Sequence, residues 1–550
     1  MQSSSPSFVF PRRSTLAAGL LLAVAGITTA HALSAPGAAA GPIQRYNLFA
    51  DGGQQQADIA VGADGNAVAV WYSDKPTGSI GVRARRLDGA GNPIGSDIVV
   101  NSSPQAGSIF YPSVATDADG HFTVVWTAHT TVLYSLPHVY QRRFDRHGVP
   151  LGPQQQIDTN VPEAGGAVIA MGADGRYVVA WNAYPSTGAE IRARRFDATG
   201  TALGTEIAVA TRGTGYYGPN LRLATDDAGN FTVVWTHDKR DGADYDVYRR
   251  RFDAYGNALE TVQRVNNWSA AGMQRVADIG MDAGGNSVIV WDSYLSRYDS
   301  RIVGQRFDAS GYPAGSEFVL AYKNSYPTEE PTRPAVAMAR STGEFSVAWQ
   351  RRSDTMYLRR YLANGTARGP ETLMSDGTRG ASYVSIASDA DGDTTAIWQV
   401  EETSMYKDFG VVGRRFSGYG SIDLAASLAP AIESAAAPTL IDYQVRVDNL
   451  QMPSPSRGVG VATGIVATFA PPADGVVLEA TGPNWSCDLS TAQPRCTYGA
   501  SVPPGGSSEP LHLRVGGVAP GSVQASVQVT GSQYDAQAVN DAASAVVTLP

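Results

Sequence analysis

The stretch Ala118-Asp119-Gly120-His121-Phe122-Thr123-Val124-Val125-Trp126 decides the fold. Asp-Gly is a tight hairpin turn, and the apolar, β-branched run after it is a strand buried on both faces. The unit recurs. Trp71, Trp126, Trp181, Trp235, Trp291, Trp349 and Trp398 each follow a turn glycine by six residues: Gly65, Gly120, Gly175, Gly229, Gly285, Gly343 and Gly392. The tryptophans are spaced 55, 55, 54, 56, 58 and 49 residues apart, and self-similarity at such a period marks a repeat architecture.

A second anchor follows each tryptophan. Arg86, Arg143, Arg195, Arg251, Arg306, Arg360 and Arg415 are each followed by Leu, Phe or Tyr, with a glycine five residues on, Gly91 in the first unit and Gly420 in the last. Phe-Asp-Ala-x-Gly reads as a strand end and a second turn, after which comes a short strand such as Ser96–Val100. Each unit is thus four short strands, A to D, with Trp ending B and Arg on C. Four antiparallel strands repeated seven times predict a seven-bladed β-propeller over residues 42–420. A linear solenoid would need capping units, and none is visible. The last unit lacks a D strand, whereas Pro42–Ala50 precedes the first unit as an orphan D strand, so the N-terminal strand is expected to complete the last blade.

Composition agrees with an all-β chain. Of 550 residues, 43% are hydrophobic and 17% charged, with 59 Gly and 25 Tyr, a mixture of turns and aromatics. The N-terminus carries an export signal over residues 1–32: Arg12-Arg13, the apolar run Leu16–Ile27, and the cleavage site Ala30-His31-Ala32. The run is too short to span a bilayer as a mature helix, and no later segment is longer. Arg12-Arg13 resembles a twin-arginine signal, from which Pro11 and Thr15 depart, so the general secretory route is the better fit and both stay open. The formal charge of −9 becomes −11 once residues 1–32 are removed, which argues against nucleic acid as a partner. Cys487 and Cys496 are the two cysteines. In an oxidising compartment they are expected to form one disulfide, the alternative being two free thiols.

The Asp-Gly, Val-Val-Trp and Arg-Phe-Asp elements resemble those of secreted bacterial repeat proteins, which implies a propeller and nothing about activity. From about Ser421 the repeat stops. Residues 421–438 read as an Ala/Pro-rich linker. Beyond them, Asp442-Tyr443-Gln444-Val445-Arg446-Val447-Asp448-Asn449, Gly482-Pro483-Asn484-Trp485-Ser486-Cys487, Cys496 and Asn540-Asp541-Ala542-Ala543-Ser544 resemble the conserved-repeat domain of bacterial surface proteins, domain of unknown function eleven. That resemblance implies an Ig-like β-sandwich over 439–550, a spacer or surface module, present here once.

In a four-strand meander the A–B and C–D turns share one face of the ring, and the B–C and D–A loops share the other. The first set is constant in length. The second varies, Trp to Arg running from 11 to 17 residues, and varied loops are where function is grafted. The B–C and D–A loops are rich in tyrosine, with Tyr134, Tyr184, Tyr216, Tyr217, Tyr245, Tyr294, Tyr298, Tyr322, Tyr326 and Tyr406, and with Tyr111 and Tyr383 beside them. Tyrosine offers a flat face and a polar tip, suited to sugars or to a protein partner; the plain alternative is blade-edge packing. The tryptophans read as core and the arginines as structural. Asp88, Asp145, Asp197, Asp253 and Asp308 lie two residues after five of those arginines, which suggests inter-blade ion pairs. Asp389, Asp391 and Asp393 look like the start of a calcium loop, but no later acid completes the oxygen set before Glu401, so the hairpin reading is preferred and no cofactor is expected.

Catalytic motifs are wanting. Sialidase-type turns place Trp three residues after Gly, not six. There is no Gly-x-Ser-x-Gly elbow or zinc-type His pair, and Glu329-Glu330 and Glu401-Glu402 read as solvated. The expectation is an exported, monomeric, non-enzymatic binding or adhesion protein with an extracellular glycan or protein as partner. A carbohydrate-active hydrolase or lyase on the same face is the first alternative, and a structural envelope protein the second.

Overall fold

The computed structural model describes Ala39 and residues 42–549, except 49–52, 63–64, 75–80, 90, 102–108, 130–135, 187, 213–219, 239–244, 267–271, 297–298, 323–330, 352–354, 377–379, 390–391, 402–408, 417–421, 435–439, 451–461, 492, 504 and 532–539. Among the described residues the elements are strands, with no helix. Residues 44–416 form seven consecutive four-stranded antiparallel sheets in a propeller-like arrangement. Their first strands are Gly53–Val61, Ile109–Thr116, Ala164–Met171, Leu221–Thr225, Met273–Met281, Pro331–Met338 and Ser382–Ser388. Each of these abuts the first strand of the next sheet, and the last abuts the first, so the seven inner strands make a closed cycle.

The repeat residues explain the packing. Every tryptophan of the series is buried. Trp126 packs on Val70, Val82 and Val100 of the preceding sheet, and Trp71 packs on Ile397 and Val411 of the last. Apolar bulk at one fixed point per sheet therefore glues neighbour to neighbour, and truncating one such side chain to alanine costs about 3–5 kcal/mol. The aromatic after the series arginine pairs directly across from the one that opens strand B, and the rings stack: Phe122 on Phe144 at 4.9 Å, Tyr177 on Phe196 at 4.8 Å, Phe231 on Phe252 at 4.9 Å.

The arginines differ from expectation. Instead of an aspartate of a neighbouring sheet, each reaches a backbone carbonyl of the next sheet. Arg86 Nη1 donates to His147 O at 3.0 Å, Arg195 Nη1 to Ala254 O at 2.6 Å, Arg306 Nη1 to Ala363 O at 2.9 Å, and Arg360 Nη2 to Phe416 O at 2.8 Å. Arg143 and Arg251 make the same reach, to Ala198 O and to Ala309 and Ser310 O. Arg415 completes the circuit on Gly65 O at 3.2 Å. The aspartates cap their own turns: the Oδ1 atoms of Asp88, Asp145, Asp197, Asp253 and Asp308 accept the amides of Asn92, Val149, Thr201, Asn257 and Tyr312 at 2.7–2.9 Å. An aspartate satisfies a turn amide locally, whereas a guanidinium spans the gap between sheets.

The seventh sheet takes its outer strand from the N-terminus. Gln44 and Arg45 pair with Gly413 and Val412, and Tyr46 N donates to Val411 O at 2.9 Å. Asn47 Oδ1 then accepts Val411 N at 2.9 Å. The same latch ends the outer strand in other sheets: Asn101 takes Val82 N at 2.9 Å, Asp158 takes Val139 N at 2.8 Å, Asn266 takes Val247 N at 2.9 Å, and Ser375 takes Met356 N at 3.0 Å. A short polar side chain thus replaces the ladder partner that the departing strand no longer supplies.

Residues 424–549 form two further sheets, of four and five strands, around one apolar core. The stretch read as linker is a correction: Leu424–Ser434 is a strand, paired along its length with Leu440–Asn449. Its alanines fit the pleat of an edge strand as readily as a linker, which composition does not distinguish. Cys487 and Cys496 face each other on adjacent strands and are disulfide-bonded. Asn449, fully buried, donates Nδ2 to Val502 O at 3.0 Å, so it ties strands together.

Candidate functional site

The site grows from one irregularity in the inner strands. Six of the seven slip register at the same place, after the first one to three residues from the D–A loop. The residues within the slips are Gln56, Tyr111, Gly166, Val276, Arg333 and Tyr383, with φ of 55°, 53°, 64°, 47°, 52° and 54°. This left-handed conformation is free for Gly166 and costs an L side chain about 1–2 kcal/mol. The slips are held from the preceding sheet. Gln56 N donates to Gln399 Oε1 at 2.7 Å, Gly166 N to Thr127 Oγ1 at 3.0 Å, and Arg333 N to the Asp292 carboxylate. Gln399, Thr127 and Asp292 each directly follow a series tryptophan. In the first sheet that position is Tyr72, and Gln56 Oε1 takes over, accepting Tyr111 N at 2.7 Å.

The inner strands form a closed cycle, and the slips lie at the end of it that the D–A connections enter; the space the cycle encloses is termed the channel, and this end its mouth. Tyr111 and Tyr383 are exposed there, at 39% and 49%. The Arg333 guanidinium lies 4.2 Å over the Tyr383 ring. Arg333, Tyr383, Gln56 and Tyr111 occupy four successive sheets, the sixth, seventh, first and second, and so form a continuous arc.

One level deeper, Asp58, Ser113, Arg222, Asp278 and Ser385 share a register, each opposite the residue before a series tryptophan. Asp58 bridges three sheets: Ser385 Oγ donates to it at 2.8 Å, Ser113 Oγ at 2.9 Å and Val114 N at 3.1 Å. Asp278 does the same on the other side, accepting Val336 N at 2.8 Å and pairing with Arg222 Nε at 3.3 Å. Burial pushes the Asp278 carboxyl up, Arg222 opposes it, and the Asp58 charge adds to the rise. Asp292, behind Arg333, is pushed up to about 6, mainly by burial, with Arg275 at 3.3 Å opposing.

Of the tyrosines named from the sequence, Tyr184, Tyr245 and Tyr294 are half-buried and Tyr322 is exposed. They belong to the third, fourth and fifth sheets. Tyr322 ends an outer strand and stands away from the channel, and Tyr294 lies under the Arg275 guanidinium at 5.5 Å. Tyr134, Tyr216, Tyr217, Tyr298, Tyr326, Tyr406 and Asp391 lie outside the described residues. Asp389 and Asp393 hold Arg415 Nη2 at 2.7 and 2.8 Å, so a guanidinium stands where a calcium loop would need its cation. No group of three or more potential metal ligands occurs among the described residues.

The channel residues Asp58, Arg222, Asp278 and Arg333 were not read from the sequence. The available signal was their offset from the tryptophan, 13 residues for the first three and 16 for Arg333, which shows only when the repeats are stacked in register.

No family model and no curated protein matches the chain. Solved structures similar to it include a fungal alcohol oxidase in complex with copper, 13% identical, covering 92% of this chain and 99% of that one at a TM-score of 0.45. The polysaccharide lyase Uly1 is 9% identical over 68% of this chain and 92% of its own, TM-score 0.44. A Penicillium chrysogenum α-L-arabinanase complexed with arabinobiose is 12% identical over 56% and 93%, TM-score 0.40. No helix among the described residues is long and apolar enough to cross a membrane.

Proposed function

We propose that this chain is an exported seven-bladed β-propeller with an Ig-like sandwich, and that it recognises an extracellular carbohydrate at the channel mouth. The observation that carries this is the pair of exposed tyrosines, Tyr111 and Tyr383, kept in a left-handed conformation that Gly166 adopts without cost. Strain of this kind persists where a side chain is needed. Flat tyrosine faces suit the C–H faces of sugars, and the Arg333 guanidinium over Tyr383 suits sugar oxygens. The test is binding to a glycan array with the Tyr111→Ala and Tyr383→Ala variants. Saturable binding lost in both supports the reading; binding that both retain refutes this site.

A second reading, turnover of the bound glycan, rests on Asp58 and Asp278. Two carboxyls whose environments differ are the usual acid and base of glycoside cleavage. Each already bridges flanking sheets, which favours a structural role. Release of new reducing ends or unsaturated products, abolished in Asp278→Asn, would establish the enzyme; intact glycan after prolonged incubation would leave a binding protein.

A further inference from the structure

We infer that the channel mouth selects an acidic polysaccharide, taking a carboxylate or sulfate of the chain on Arg333; this rests on the carbohydrate reading above. The formal charge of the protein is −9, so an anionic ligand needs a local cation to approach. The inner strands supply three in succession: Arg222 one level down in the fourth sheet, and Arg275 and Arg333 beside and within the slips of the fifth and sixth. Two are already neutralised, Arg222 by Asp278 and Arg275 by Asp292, each at 3.3 Å. Arg333 differs. Among the described residues no carboxylate lies within ion-pair distance of its guanidinium: Asp292, held by Arg275, feels the Arg333 charge only from beyond that distance, and the guanidinium face stacks on Tyr383. Stacking fixes the plane and, among the described residues, leaves the N–H edge without a carboxylate in contact. That edge matches the paired oxygens of a carboxylate or sulfate, which accept two parallel hydrogen bonds from it.

The backbone supports the same assignment. Gly166 serves the equivalent slip of the third sheet at no cost, so arginine is not required by the fold at φ 52°. Asp292 accepts the Arg333 amide and anchors the slip from behind, while the side chain lies over the exposed Tyr383. The neutral members of the arc, Gln56 and Tyr111, then lie along the path of a chain leaving Arg333.

The test compares polygalacturonate with its methyl ester, which has the same backbone without the charge, and includes a sulfated glycan and neutral dextran. Each is titrated calorimetrically into the full chain and into Arg333→Gln and Arg333→Lys, with circular dichroism confirming that the variants fold. The expected result is binding of a charged glycan, loss on esterification where the ligand is the uronate, a drop of about tenfold or more in Arg333→Gln, and partial recovery in Arg333→Lys. Preference for sulfate over carboxylate identifies the group without altering the assignment. Equal affinity for the acid and its ester, or undiminished binding of the acid by Arg333→Gln, overturns the inference; if Tyr111→Ala still abolishes that binding, carbohydrate recognition survives. Binding to none of the glycans overturns both.

Discussion

Replacing Tyr46 by alanine should open the ring. Tyr46 is 1% exposed and sits in one apolar cluster with Trp71 and Leu87 of the first sheet and Ile397 and Val411 of the seventh. Its ring fills the room left by Gly413, where an added Cβ would come within 2.2 Å of Tyr46 Cε2. Truncation leaves a void that a rigid sheet closes poorly, worth about 3–5 kcal/mol. Against a total stability of about 5–15 kcal/mol, that loss is large. Asn47→Ala, next door, leaves the buried Val411 amide without its acceptor and should cost about 1–3 kcal/mol. Asn101→Ala is the control, because it removes the same 2.9 Å latch from a sheet whose outer strand is covalently continuous. Urea unfolding followed by tryptophan fluorescence gives the loss, and hydrogen exchange gives the place. In Tyr46→Ala the Val411 amide should exchange far faster than amides of the fourth sheet, while Asn101→Ala should leave Val411 protected. A loss below about 1 kcal/mol, or a Val411 amide that stays protected, would refute the claim that the N-terminal strand seals the ring.

Two further outcomes are expected. The Asp292 carboxyl, raised to about 6, binds a proton in the folded state at pH values where the unfolded chain has lost it; stability should therefore fall as pH rises from about 4 to 6, by roughly 1–3 kcal/mol, and stay low above that window. Asp292→Asn keeps an acceptor for the Arg333 amide and should flatten this slope, as urea midpoints between pH 4 and 7 would record; an unchanged slope would place the titration elsewhere. Reducing the Cys487–Cys496 bond, which closes a separation of nine residues, should weaken residues 424–549 by about 2–3 kcal/mol and leave the ring untouched, as hydrogen exchange with and without reductant would show.

The repeat was legible because its causes are local. A turn that needs Asp-Gly, a strand buried on both faces and an aromatic at one fixed position each write themselves into spacing. The inter-sheet partners were not. The Arg-x-Asp spacing suggests ion pairs between blades, since the same two charges recur on one strand face of successive units. Instead the arginine found carbonyls 57 residues away in the case of Arg306 and Ala363, and the aspartate found an amide four residues away. Residues 421–438 read as linker because alanine and proline mark no single structure; only pairing with Leu440–Asn449 makes Leu424–Ser434 a strand.

The functional reading divides the same way. Sequence alone determines which connections vary in length and that tyrosine is frequent in them, because loop length and composition are local properties. It did not locate the arc. Arg333, Tyr383, Gln56 and Tyr111 are far apart in the chain and become neighbours when the last inner strand meets the first. Their left-handed backbone leaves no mark in composition either, since one slip is filled by Gly166 and another by Val276. A closed ring places residues by rotation about an axis, and the amino-acid order records only the period of that rotation, not which side chains it turns toward the channel.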